Sequence, residues 1–232
     1  MLRFLSIIVL TALGIACGHA QSADTQLSAK EFAKKIQKTP GAQVVDVRTP
    51  SEFKAGHIKD ASNIDINSAE FKSMAAVLDK SKPVFVYCLS GGRSASAAKY
   101  FRSEGYNQVY EMPGGMMEWR NKELPEVKLT VTSEGMSVAE YEAMLQSNKV
   151  ILVDFHAEWC APCKKMKPFL EKISQDMAEK VTVIRIDADQ NSRLCKALGV
   201  SALPVLKVYR NGKETWNHTG FMDEEGLRKQ LQ

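Results

Sequence analysis

A chain of 232 residues, 44% hydrophobic and 25% charged, is long enough for two small domains that each bury a core, and its composition excludes a disordered or fibrous protein. Its formal net charge of +4 comes from lysines spread along the chain, so solvated helix faces account for it and a nucleic-acid partner is excluded. Five cysteines are too few for a disulfide scaffold, and their spacing points to chemistry rather than stapling.

Arg3, the apolar run from Phe4 to Ala16 and the small residues after it predict a signal peptide over residues 1–20. The run is too short to span a bilayer comfortably. Gly18-His19-Ala20 offers cleavage before Gln21, and Ala16-Cys17-Gly18 offers acylation at Cys17. Cleavage is preferred, because Gly14 stands where acylation sites usually carry a large aliphatic residue. Membrane anchoring follows only if Cys17 is lipidated. Either route places the domains outside the cytoplasm, in a periplasmic setting.

From Leu27 to Pro125 helices and strands alternate. Ser28 with Glu31, and Thr49-Pro50 with Glu52, predict capped helix starts, while Gln43–Val47, Pro83–Tyr87 and Gln108–Met112 read as short apolar strands of a parallel α/β sheet. Cys88 follows the second strand, and a helix is expected from Ser94 to Glu104. A loop at the carboxyl end of a parallel strand gathers amides and a helix N-terminus, which favour an anion. Gly91 and Gly92 let that loop curl toward the sulfur, with Ser90 and Ser94 beside it, and Arg93 either closes the loop or fixes an anionic substrate.

With the stretch DVRTPSEFKAGHI from Asp46 to Ile58 and GYNQVYEMPGGMMEW from Gly105 to Trp119, this half, residues 27–125, resembles a single rhodanese domain. The loop carries four residues between Cys88 and Arg93, where the related phosphatase cradles commonly carry five. The resemblance implies Cys88 as a persulfide-forming nucleophile, Ser90, Gly91, Gly92, Arg93 and Ser94 as the substrate cradle, and thiosulfate or another sulfane-sulfur donor as substrate. For Asp46, Arg48 and His57, strand-end capping and a buried turn are explanations as good as substrate contact.

The connection is short. Val127–Thr132 reads as a candidate strand and Ser137 with Glu140 caps the next helix. A strand from Val150 to Phe155, a helix from Ala161 to about Glu179 interrupted by Pro168, a strand Val181–Asp187, a helix Ser192–Leu198, a hairpin pair Pro204–Tyr209 and Thr215–His218, and a last helix from Asp223 complete the order. Cys160 at a helix start has its thiolate favoured by the dipole, and Cys163 one turn on can resolve a mixed disulfide. Asp154 in an apolar strand is costly unless useful. Cys195 reads as a buried small residue, and His156 as packing that is near enough to Cys160 to tune it.

VDFHAEWCAPCKKMKP from Val153 to Pro168 and ALP from Ala202 to Pro204 resemble the thioredoxin active site and cis-proline loop, so residues 126–232 read as a thioredoxin-like domain. Three positions depart from the pattern: Ala161 for glycine, His156 for an aromatic and Val205 for threonine. The resemblance implies a redox disulfide Cys160–Cys163, Asp154 as a proton acceptor for Cys163 with Arg185 as its basic neighbour, and a cis bond before Pro204 that offers the Leu203 backbone to substrate. A lone CxxC with no second cysteine pair or spaced histidines gives no zinc site, and no cofactor is implied.

The fold class expected is α/β in two domains, a parallel-sheet rhodanese-like unit and a thioredoxin fold. The expected function is an exported sulfurtransferase and thiol-disulfide oxidoreductase in which a Cys88 persulfide is discharged at Cys160 and Cys163. Its partners are a sulfane-sulfur donor, thiol or disulfide proteins and an external electron donor. Two alternatives stand beside it: a general thiol-disulfide oxidoreductase whose first half docks substrates, and a non-enzymatic sulfur carrier or interaction protein.

Overall fold

The computed structural model describes residues 25–128 and 135–232. The predicted signal peptide and Cys17 lie outside them, as does most of the candidate strand Val127–Thr132. Within that strand Val127 makes a single bridge to His57.

The first unit contains α1 (Ala29–Lys38), β1 (Gln43–Asp46), α2 (Pro50–Ala55), β2 (Ser62–Asn63), α3 (Phe71–Ala75), β3 (Val84–Tyr87), α4 (Gly92–Ser103), β4 (Val109–Glu111) and α5 (Gly115–Asn121). Its four strands pair in parallel in the order β2-β1-β3-β4. The capping boxes at Ser28 and Thr49 form as the sequence predicts. The pair β2 and α3 is an addition to the predicted elements: a two-residue strand and a five-residue helix are too short to leave a periodicity. Alternation divides the sheet's side chains, with Val45, Val47, Val84 and Val86 in one apolar cluster and Val44, Phe85 and Tyr87 in another. Both faces are buried, as a parallel sheet between helices requires.

The second unit contains α6 (Val138–Met144), β5 (Val150–His156), α7 (Ala161–Asp176), β6 (Val181–Asp187), α8 (Ser192–Ala197), β7 (Val205–Arg210), β8 (Lys213–Thr219) and α9 (Glu224–Gln230). Its sheet runs β6-β5-β7-β8, parallel between β5 and β6 and antiparallel beyond. Pro168 does not interrupt α7. Met166, Leu170 and Ile173 are buried along the stripe that faces Leu152 and Leu206, and this packing outweighs the one lost backbone bond.

The two units touch. The rings of Phe53 and Trp159 lie 5.0 Å apart, and Lys54 Nζ is 3.6 Å from Asp189 Oδ1.

Candidate active site

The strand β3 ends at Tyr87 and delivers Cys88 into a tight loop before α4. Gly91, the N-cap, sits at φ +92°, and a Cβ there would collide with the carbonyl of Pro113, so no other residue fits. Gly92 has ordinary helical backbone as the first residue of α4, which corrects the expectation that both glycines are needed for the curl. The turn aims the Gly91 N–H at Cys88 Sγ (3.2 Å) and brings the Ser94 hydroxyl to 3.4 Å from the same sulfur. Burial, at 1% exposure, raises the thiol pKa, but the Ser94 hydroxyl and the amides of Ser94, Ser90 and Gly91 outweigh it and hold the pKa below the ordinary value. From the other side α5 donates the Met116 and Met117 amides to the carbonyls of Cys88 and Leu89 (2.9 and 3.0 Å), which fixes the loop from outside.

Arg93 makes a bidentate pair with Glu52, Nη1 to Oε2 at 2.8 Å and Nη2 to Oε1 at 2.7 Å. Glu52 also accepts from the Thr49 hydroxyl and amide in the capping box, and the Arg93 fork holds its carboxyl down to about 2. The guanidinium therefore clasps α2 to the Cys88 loop. Asp46 and Arg48 form a buried pair at 2.6 Å, Arg48 donates to the Gly56 carbonyl, and Asn63 donates to the carbonyls of both residues. His57 is buried, its Nδ1 2.9 Å from the Phe53 carbonyl and its ring stacked on Phe53. These three residues lock the strand end.

In the second unit Cys160 is the N-cap of α7 and is joined to Cys163 by a disulfide. The Leu203–Pro204 bond is cis. Asp154 lies on the central strand, fully buried and in register with Arg185 across β6. Arg185 Nε donates to Asp154 Oδ2 at 2.9 Å, while Oδ1 is buried with no hydrogen-bond partner among the described residues. Burial raises the Asp154 pKa, and Arg185 opposes this without cancelling it. His156 at the strand end has its pKa lowered by burial and then by Arg185. Cys195 is buried among apolar residues, which raises its thiol.

The residues on either side of Cys160 face the first unit. Trp159 packs against the cluster containing Phe53, Tyr87 and Met116, and Ala161 packs against the cluster that contains Cys88. Trp159 is oriented by its indole N–H, which donates to Asp189 Oδ2 at 2.7 Å. Sequence reading gives Glu52 only as a cap and gives Phe53, Lys54 and Asp189 no role. For Ala161 a signal was present, in the departure from glycine, but not its meaning.

The Rhodanese-like domain family matches residues 28–122, and the Thioredoxin family matches residues 132–232. The chain is 34% identical over 93 residues to the thioredoxin of Alicyclobacillus acidocaldarius, covering 40% of this chain and 89% of that protein. It is 37% identical over 83 residues to the thioredoxin of Bacillus subtilis, covering 36% and 80%. A rhodanese-related protein from Thermoplasma volcanium superposes with a TM-score of 0.40 at 29% identity, covering 44% of this chain and 96% of that one.

Proposed function

Because this chain belongs to the thioredoxin family through its second half and carries a rhodanese-like domain in its first, we propose that it moves a sulfane sulfur from a donor such as thiosulfate onto Cys88 and discharges it at Cys160. The Cys88 thiolate attacks the outer sulfur of thiosulfate, the sulfur–sulfur bond breaks, sulfite leaves with the bonding pair, and Cys88 becomes a persulfide. The reduced Cys160 thiolate attacks the terminal sulfur and Cys88 leaves as a thiolate. Cys163 then attacks the Cys160 sulfur, hydrosulfide departs, and the Cys160–Cys163 disulfide is left for an external dithiol to reduce. Asp154, whose carboxylate has its proton affinity raised by burial, serves as the proton acceptor for Cys163.

One observation supports the coupling above all: Trp159 and Ala161, the neighbours of Cys160, both pack on the domain that holds Cys88. Arg93 contributes by keeping the cradle closed through Glu52. The apolar run after Arg3 supports export to an oxidising compartment, where the dithiol donor must be supplied across or within the envelope. N-terminal analysis of protein recovered from its native envelope tests the export. The transfer is tested by intact mass after thiosulfate treatment of the chain with its Cys160–Cys163 disulfide formed, which cannot discharge Cys88: Cys88 is expected to gain one sulfur atom, and Cys88→Ala to gain none while keeping its thioredoxin-type activity. Sulfite release by Cys88→Ala at the wild-type rate overturns the assignment.

A further inference from the structure

In the second unit Leu203 shares an apolar cluster with Cys160 and Cys163, and Trp159, the residue before Cys160, packs against the same cluster. Both already have a neighbour. Pro50, Asn63, Ser68 and Met74 of the first unit close against Trp159 and Leu203 around a residual cavity of about 20 Å³, room for roughly one water. Phe53 lies 5.0 Å from the indole, and Lys54 reaches the Asp189 carboxylate that orients it. On the far side of the seam Ser73 and Glu70 lie within 3.6 Å of where a side chain on Gly220 would begin. Leu203 is 6% exposed and Cys160 is 1% exposed.

We propose that the rhodanese-like domain is a resident occupant of the thioredoxin domain's docking face, so that folded protein disulfides reach Cys160 only when the two domains part. The proposal rests on the exchange role given to Cys160 and is independent of whether Cys88 carries sulfur. Its basis is steric and entropic. A protein substrate that runs along the Leu203 backbone, as the resemblance implies, passes over Trp159, and first-unit side chains stand against both residues. A tethered domain acts at an effective concentration on the order of 1 mM, so a free protein at about 10 μM is disfavoured by roughly a hundredfold at equal affinity. A small thiol or disulfide needs only a brief opening of the seam. The occupant thus makes the second site selective for sulfur delivered from within the chain and for small dithiols.

The test uses the full-length chain, reduced with dithiothreitol, and the double variant Lys54→Glu, Ser73→Trp. Both substitutions lie on the seam and outside either cysteine loop: the first sets like charges against Asp189 and the second drives a large ring into the Gly220 turn. Insulin reduction is expected to rise at least about fivefold in the variant, the equivalent of roughly 1 kcal/mol at the seam. Equal rates in the two proteins overturn the proposal. The wild-type chain carries a second readout that needs no variant, namely alkylation of Cys160, identified by peptide mapping. N-ethylmaleimide is expected to modify Cys160 readily and a polymer-linked maleimide slowly, and equal labelling by both overturns the occlusion. If neither protein reduces insulin or a small aromatic disulfide, the exchange role of Cys160 falls, and the labelling comparison still decides the occlusion by itself.

Discussion

At Cys88 a buried sulfur keeps a low pKa only because hydrogen-bond donors converge on it, and Ser94 supplies the largest of those contributions. Ser94→Ala removes a charge-assisted donor, so the midpoint of the sulfite-release pH profile is expected to move upward. The thiolate is the reacting form, so wild type reaches its plateau at a lower pH than the variant. A pH–rate series on both proteins reads this directly, and coincident profiles count against Ser94. Asp154 behaves in the opposite sense. Its folded-state pKa is raised, so the folded protein holds a proton that the unfolded chain has released, and stability falls as pH rises from the ordinary aspartate value through the folded one. Asp154→Asn is therefore expected to be more stable than wild type at pH 7 and to lose that slope, with about 1.4 kcal/mol for each tenfold in proton affinity. Urea titrations at pH 5 and pH 8 measure it, and insulin reduction by the same variant is expected to slow.

Between residue and fold, the Cys88 loop is held by two elements that the chain order separates. The helix α2 grips it through Glu52 and Arg93, and α5 grips it through the Met116 and Met117 amides. If Arg93 acts by way of Glu52, then Arg93→Ala and Glu52→Gln should each lower sulfite release, and the double variant should be little worse than either, with a coupling of about 0.5–3 kcal/mol in a double-mutant cycle. Additive losses would instead give Arg93 a direct contact with the donor. Gly91→Ala forces a side chain into the Pro113 carbonyl at a left-handed φ, and a loss of about 1–3 kcal/mol in thermal or urea unfolding is expected, with loss of sulfur loading. The Asp46–Arg48 pair and His57 belong to the same scaffold. They are buried, satisfied within one strand end, and fix where β1 hands over to α2.

For the whole molecule, two domains in contact lead to the expectation that the proposed transfer runs within one chain. Sulfide release per molecule is expected to stay constant on dilution from about 10 μM to about 0.1 μM, because the tether holds the effective concentration far above either value. Cys163→Ser is expected to halt the sequence, leaving the sulfur on Cys160 and cutting hydrosulfide release at least about tenfold, since the resolving thiol is gone. Release that falls in proportion to concentration would assign the transfer to collisions between molecules and leave the domains as neighbours in sequence only.

Features that arise within a few residues of one another can be read along the chain. The caps at Ser28, Thr49 and Ser137, the strand-loop-helix around Cys88 and the helix start at Cys160 are all legible, because capping hydrogen bonds, turn conformations and short apolar runs are local. With the motifs they carry, they also make the two α/β domains and the loop positions of Cys88 and Cys160 legible. Tertiary structure decided what depends on distant residues meeting. Glu52 reads as a cap until α4 brings Arg93 against it, 41 positions away in the chain. Ala161 reads as a departure until its methyl packs on the cluster around Cys88, and Asp189 has no partner in sequence until the indole of Trp159 and the ammonium of Lys54 reach it. Such contacts are side-chain complementarity between surfaces, and no periodicity or spacing along one chain encodes which surfaces will meet.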